Sequence, residues 1–253
     1  MARTAIIIQA RMASTRLPGK VMLDLGGSSV LQHVLRRAAS ISSADVVCCA
    51  IPQGQDCDPV AAEAARHGAV VFRGSETDVL GRYAGAARML GADVIMRITS
   101  DCPLIDPEIC SAVLNLRQQT AADYACNNMP PSFPHGLDCE AFTRDLLERA
   151  DQDAYQPRER EHVTPWMRET PGLRRVNLTG PGGDALRHRW TLDYPEDLAF
   201  FRGLFSLAPA AATATMTELF DIMDSHPELT ELNAAHRDTG RPAHTPLPEG
   251  RPA

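Results

Sequence analysis

Lys20 is the single lysine of the chain; every other basic side chain is arginine. A composition that favours arginine wherever the two are equivalent leaves lysine where a compact, flexible ammonium must act as a point charge on phosphate. Lys20 closes the segment Gln9-Ala10-Arg11-Met12-Ala13-Ser14-Thr15-Arg16-Leu17-Pro18-Gly19-Lys20, directly after the apolar run Ala5-Ile6-Ile7-Ile8. A buried strand opening into a loop with three cations, two hydroxyls and a Pro-Gly turn suits a polyphosphate. Arg11, Arg16 and Lys20 would balance most of the charge of a nucleoside triphosphate, and Ser14 and Thr15 would donate hydrogen bonds. The plainer alternative is chance, since one lysine must fall somewhere. The loop is not a P-loop: Val21 follows Lys20, and Ser14 stands where the earlier glycine belongs. Phosphate would therefore be held by side chains and amides along an extended turn.

Two carboxylates follow other apolar runs. Asp101, in Ser100-Asp101-Cys102-Pro103, is placed to hold Mg²⁺, a hard cation that takes carboxylates together with phosphate oxygens. The alternative is a turn aspartate bonded to its own backbone. Asp193, in Trp190-Thr191-Leu192-Asp193-Tyr194-Pro195, would complete such a site. Asp106 before Pro107, Asp58 before Pro59, and Glu196 and Asp197 suit helix entries. Arg3 fits a solvated surface charge. His162, in Arg160-Glu161-His162-Val163-Thr164-Pro165, matches no generic catalytic signature and fits a structural role, and no nucleophile elbow accompanies any histidine.

The elements that must position these residues alternate strand and helix. Strands are expected at Ile6–Gln9, Asp45–Ile51, Ala69–Arg73 and Asp93–Thr99. Helices are expected around Val30–Ser40, from Asp58, from a capping box at Ser75-Glu76-Thr77-Asp78 to about Leu90, and from Asp106. Such alternation predicts a mostly parallel sheet with helices on both faces and ligands at the carboxyl ends of the strands. After residue 120 the pattern predicts a mixed β region, with strands at Asp123–Cys126, Leu137–Phe142, Arg174–Leu178 and Arg187–Leu192. Helices are expected there from Thr143 and over Arg158–Glu169, then at Glu196–Leu207 and Met216–Asp224. Residues 238–253, rich in proline and glycine, are expected to be a disordered tail.

The 253 residues provide ample core for one large domain. A net charge of −7 argues against nonspecific nucleic-acid or acidic-membrane binding. Within residues 1–40, however, Arg3, Arg11, Arg16, Lys20, Arg36 and Arg37 face the single acid Asp24, a balance that suits a small polyanion. Seven scattered cysteines without a C-x-x-C pair fit reduced core thiols. With no signal-like or membrane-spanning stretch, a cytoplasmic protein is expected.

The segment Ile7–Lys20 resembles the opening of nucleotide-activating sugar enzymes, in particular the SpsF-type (spore coat polysaccharide) branch of the cytidylyltransferases, relatives of the acylneuraminate and deoxyoctulosonate (KDO) enzymes. Phe72–Leu80, Arg97–Asp106, Gly136-Leu137-Asp138, Arg160–Pro165 and Arg189–Asp197 fit the same branch, so that the resemblance runs from residue 4 to about 235. It implies a GT-A-like α/β fold over residues 1–237, with an acceptor-side and dimerisation insertion at about 127–185. It also implies a homodimer and transfer of CMP from CTP to a sugar-acid-like hydroxyl, with Mg²⁺ as cofactor and pyrophosphate released, in surface polysaccharide or glycoconjugate synthesis. By motif position Arg11, Ser14, Arg16 and Lys20 match the triphosphate loop, and Asp101 and Asp193 match the magnesium-binding carboxylates. Arg73 and the backbone near Ala10 fall where these enzymes read the base. Phe133–Glu140 departs from the acceptor-binding sequences of the sialic-acid and KDO enzymes, which leaves the acceptor open.

Two alternatives belong to other classes. A glycosyltransferase would need a D-x-D at a strand edge, and Asp56-Cys57-Asp58 is better explained as a helix entry. A non-catalytic nucleotide-binding module would keep the cationic loop but has little reason to keep Asp101 and Asp193 together.

Overall fold

The computed structural model describes residues 2–239. The apolar run after Arg3 forms strand β1 (Thr4–Gln9). A short hairpin, β2 (Asp24–Leu25) and β3 (Ser28–Ser29), leads into helix α1 (Val30–Ala39). Then follow β4 (Val46–Pro52), α2 (Asp58–Arg66), β5 (Val70–Gly74), α3 (Val79–Leu90), β6 (Val94–Thr99) and α4 (Pro107–Gln119). The middle third supplies β7 (Tyr124–Cys126), β8 (Glu140–Thr143), α5 (Arg144–Asp153), α6 (Pro157–His162), α7 (Pro165–Glu169) and β9 (Arg175–Asn177). Helices α8 (Pro195–Leu207), α9 (Met216–Ser225) and α10 (Pro227–Glu231) complete the described chain. The tail expected over 238–253 falls, from residue 240 on, outside the described residues.

Seven strands form one sheet in the order β5-β4-β1-β6-β8-β7-β9. All pairings are parallel except those of β8 with β6 and β7. The mixed β region predicted for the middle third is thus one flank of the central sheet. Residues Ala5–Ile8 of β1 are all inaccessible to solvent, Ile6 and Ile8 packing on one face and Ala5 and Ile7 on the other. Burial on both faces explains why this strand is continuously apolar rather than alternating. From β1 the chain passes outward through β4 to β5, then returns to place β6 on the opposite side of β1. The order reverses there, and the loops leaving the carboxyl ends of β1 and β6 diverge around a crevice.

Three expectations differ in detail. Asp78, not Ser75, caps α3 by accepting from Gly81 N–H at 2.9 Å, while the Ser75 hydroxyl accepts from Asp78 N–H at 3.2 Å. The helix expected over Arg158–Glu169 is two helices, because Pro165 has no N–H to continue the ladder and Val163 turns to φ 71°. Arg187–Leu192 is not a strand. Its backbone bonds go to two different loops: Trp190 N–H to His135 O at 2.6 Å and Leu192 N–H to Asp101 O at 2.8 Å. Trp190 and Leu192 are buried with Phe200, Phe201 and Leu204 of α8, a third apolar cluster that presses this segment against the sheet's end.

Candidate active site

The loop after β1 is folded back on itself. Gly19 N–H donates to Met12 O at 3.0 Å and Lys20 N–H to Leu17 O at 3.2 Å. Gly19 adopts φ 66°, a left-handed conformation that residues with a Cβ rarely take, and this turn aims Lys20 inward. The Ser14 hydroxyl accepts from Leu17 N–H at 3.3 Å, which fixes the loop's middle.

Lys20 Nζ donates to Asp101 Oδ2 at 2.8 Å, Asp193 Oδ1 at 2.8 Å and Leu192 O at 2.9 Å. All three ammonium protons are used, and one cation ties together two carboxylates more than ninety residues apart in sequence. Burial alone would lower the Lys20 ammonium, but Asp101 and Asp193 outweigh it and raise it. Burial would likewise raise the Asp101 carboxyl, but Lys20 holds it well below the usual range.

Asp193 is further held from behind. Its N–H donates to Asp197 Oδ2 at 2.9 Å, and Asp197 accepts Arg189 Nε at 2.8 Å and Asn233 Nδ2 at 3.0 Å. Asp197, expected in the first turn of α8, thus anchors the Asp193 backbone. Arg16 pairs with Asp193 Oδ1 at 3.0 Å and lies over the Tyr194 ring.

These groups border a cavity of about 330 Å³ at the strand ends. Ala10, Arg11, Ser14, Arg16, Lys20, Asp101 and Asp193 all line it, so seven of the eight residues expected at the site are brought together. Arg11 is exposed and makes no ion pair among the described residues. Arg73 is the exception: its guanidinium donates to Asp58 Oδ1 at 2.6 Å and Gly54 O at 3.2 Å, and it does not line the cavity. In the structure its side chain turns instead to the entry of α2.

Sequence reasoning passed over Gln9, Arg82, Thr99 and the pair Glu161–His162, all of which line the same cavity. His162 is exposed on its wall rather than structural, and the left-handed Val163, itself fully buried, ends α6 there. The one available signal was Arg82, a cation at helical spacing among Val79, Tyr83 and Ala86, on a face otherwise apolar.

Among the described residues no three His, Cys, Asp or Glu side chains converge as a metal site. The carboxylates of Asp101 and Asp193 do converge on one cation, the Lys20 ammonium. Two carboxylates with the remaining oxygens from phosphate and water is a donor set that suits Mg²⁺. The cationic loop and this carboxylate pair together fit a nucleotide triphosphate and a hard cation.

The comparisons agree with this chemistry. Residues 5–214 match the family model described as cytidylyltransferase. The spore coat polysaccharide biosynthesis protein SpsF of Bacillus subtilis is 33% identical over 233 residues, covering 88% of this chain and 94% of that protein. A 3-deoxy-manno-octulosonate cytidylyltransferase of Anaeromyxobacter dehalogenans is 36% identical over 116 residues, 45% of this chain and 47% of its own length. The solved structure of a cytidylyltransferase from Leptospira borgpetersenii superposes with a TM-score of 0.85 at 31% identity, covering 91% of this chain and 97% of that one. With the strand order, the cationic loop and the carboxylate pair in place, the chain belongs to the cytidylyltransferase family.

Proposed function

We propose that the protein transfers CMP from CTP to a hydroxyl of a sugar-acid-like acceptor, releasing pyrophosphate, in the synthesis of a surface polysaccharide or glycoconjugate. The observation that carries this is Lys20 Nζ bridging Asp101 and Asp193 beside a cation-bearing loop, in a cavity large enough for a nucleotide. The family match supplies the reaction class, and the names of the relatives supply the pathway and the acceptor class.

Arg11, Arg16 and Lys20 bind the triphosphate and stabilise the negative charge that grows on pyrophosphate as it leaves. Lys20 supplies a compact point charge at the base of the loop, and Arg16, paired with Asp193 and lying over the Tyr194 ring, supplies a second cation at its rim. Asp101 and Asp193 would hold Mg²⁺, whose chemistry when bound is to polarise phosphate oxygens and acidify the attacking hydroxyl. Asp197 and Arg189 keep Asp193 facing the cavity. Resemblance to the family adds a homodimer to this reading, and the scattered cysteines without a C-x-x-C pair add a cytoplasmic setting. No helix among the described residues is long and apolar enough to cross a membrane.

The test is pyrophosphate release in the presence of Mg²⁺, one nucleoside triphosphate at a time, against a panel of sugar acids and phosphonates. Release with CTP and one acceptor is expected. CTP binding that depends on Lys20, with no release on any acceptor, would favour the non-catalytic alternative.

A further inference from the structure

The match to the family model ends at residue 214, yet the chain beyond it returns to the back of the cavity. Helix α10 buries Leu229 in the apolar cluster of Phe200, Phe201 and Leu204 from α8. A Cβ at Gly203 of α8 would lie 3.0 Å from Leu229 Cδ2, so the two helices approach closely there. Asn233 follows, 2% exposed, and its Nδ2 donates to Arg189 O and to Asp197 Oδ1, both at 3.0 Å. The short turn Ala234–His236 is closed by His236 N–H, which donates to Asn233 O at 3.0 Å. Thr239 N–H donates to His236 O at 3.0 Å, and Thr239 O accepts from Arg189 Nη1 at 2.8 Å. The chain on both sides of His236 is therefore tied to Arg189, the residue that also holds Asp197 behind Asp193.

This strap delivers a ring to the rim of the site. The His236 imidazole lies against the Tyr194 ring with centroids 3.8 Å apart and planes within 1° of parallel. Its Nε2 is 3.3 Å from Glu196 Oε2. Arg16 Cζ lies 5.0 Å from the centroid of the same Tyr194 ring, where cation–π attraction holds a guanidinium. The Arg16 side chain is 54% accessible, and its ion pair is to Asp193 Oδ1, the oxygen that also accepts from Lys20. A phosphate that draws the guanidinium off that shared oxygen leaves the Tyr194 ring as the contact still holding it. An exposed arginine otherwise loses rotamer freedom when it binds, a cost that preorganisation removes.

We propose that His236 is a positioning residue for the triphosphate site: it fixes the Tyr194 ring, and through that ring it keeps Arg16 oriented toward phosphate. The proposal rests on the reading of Arg16 as a triphosphate ligand. The plainer role, packing the end of the chain onto α8, is met by Leu229 and Asn233 and needs no ring at position 236.

The experiment is calorimetric titration of CTP and of inorganic tripolyphosphate into the wild-type protein, His236→Ala, His236→Phe, Arg16→Ala and the Arg16→Ala/His236→Ala double variant, with melting curves to confirm folding. His236→Ala should weaken both ligands about three- to tenfold, the scale of one long side chain left to be ordered on binding. His236→Phe keeps a flat ring and loses Nε2, and it should bind within about twofold of wild type. With Arg16 already replaced, the loss at His236 should shrink below about twofold, because residues that act as a unit are not additive. Tyr194→Leu, made in both backgrounds, removes the platform itself and should reproduce the same pattern, which decides the matter if His236→Ala does not fold. Equal losses with and without Arg16, or wild-type affinity in a folded His236→Ala or Tyr194→Leu, would overturn the proposal and leave the nucleotidyltransferase reading intact. A wild-type protein that binds neither ligand would instead sink the triphosphate reading of the loop, and this proposal with it.

Discussion

Two of the clusters in which carboxylates are held by cations differ in what lies on their open side. At the cavity, Lys20 bridges Asp101 and Asp193, and those carboxylates keep 24% and 19% of their side-chain surface accessible. On the β8 flank of the sheet, Glu140 is 2% accessible and is held by Arg97, by Arg168 Nη2 at 2.6 Å and by the Tyr124 hydroxyl. Asn128 Oδ1 accepts a further bond from Arg168 at 3.2 Å. Glu140 has no side left to offer a ligand; the Asp101–Asp193 pair has a cavity in front of it. The same residue types thus act once as structure and once as chemistry. What separates them is whether the cation can be exchanged.

That comparison breaks first at Glu140. Glu140→Ala removes the buried acid held between two half-buried arginines, Arg97 and Arg168, and loss of one partner from a buried pair costs about 3–5 kcal/mol. Chemical denaturation should show this loss, with turnover of the remaining folded protein near wild type. A collapse of turnover without loss of stability would mean that the two clusters had been assigned the wrong way round.

Acid should sharpen the same point. Burial alone would raise the Glu140 carboxyl, but Arg168 and Arg97 outweigh it and hold it at about 2, below its ordinary 4.5. A depressed folded value stabilises above the unfolded value and is lost as pH falls through the folded one. The contribution, on the order of 3 kcal/mol, should be complete above about pH 5 and fade between pH 4.5 and 2. Glu140→Gln should flatten that part of the stability–pH curve; an unaltered slope would refute the assignment.

At the cavity the expected effects are on rate. Asp101→Asn should lower turnover about 10²-fold, the scale of one preorganised electrostatic group, with only a modest change in melting temperature. The smallest effect is at Ser14, whose hydroxyl accepts one loop N–H at 3.3 Å. Ser14→Ala should cost about 0.5–1.5 kcal/mol at most in triphosphate binding, the net worth of a single hydrogen bond. A larger loss would mean that the hydroxyl contacts phosphate directly.

Much of the site was legible because its parts follow strand ends. The run Ala5–Ile8 announced a strand buried on both faces, and the loop after it and Asp101 after Thr99 had to emerge on one edge of a parallel sheet. The rest depended on contacts that no local pattern encodes. Asp193 reaches Lys20 because segment 187–193 bonds to two separate loops, whereas its residues had suggested a strand. Which arginine faces the cavity is set by the end of β5, where Arg73 turns to Asp58 and Gly74 makes room for Arg82. Val163 takes a left-handed conformation that its β-branched type argues against, and it divides a helix that charge patterning had drawn as one.

The most direct measurement is the turnover of Lys20→Ala in pyrophosphate release from CTP, using the acceptor that supports the wild-type enzyme. A fall of roughly 10²–10³ in the turnover of the folded variant is the predicted result. Turnover equal to wild type would contradict the account, because the ammonium that joins Asp101 to Asp193 would then have no part in the chemistry.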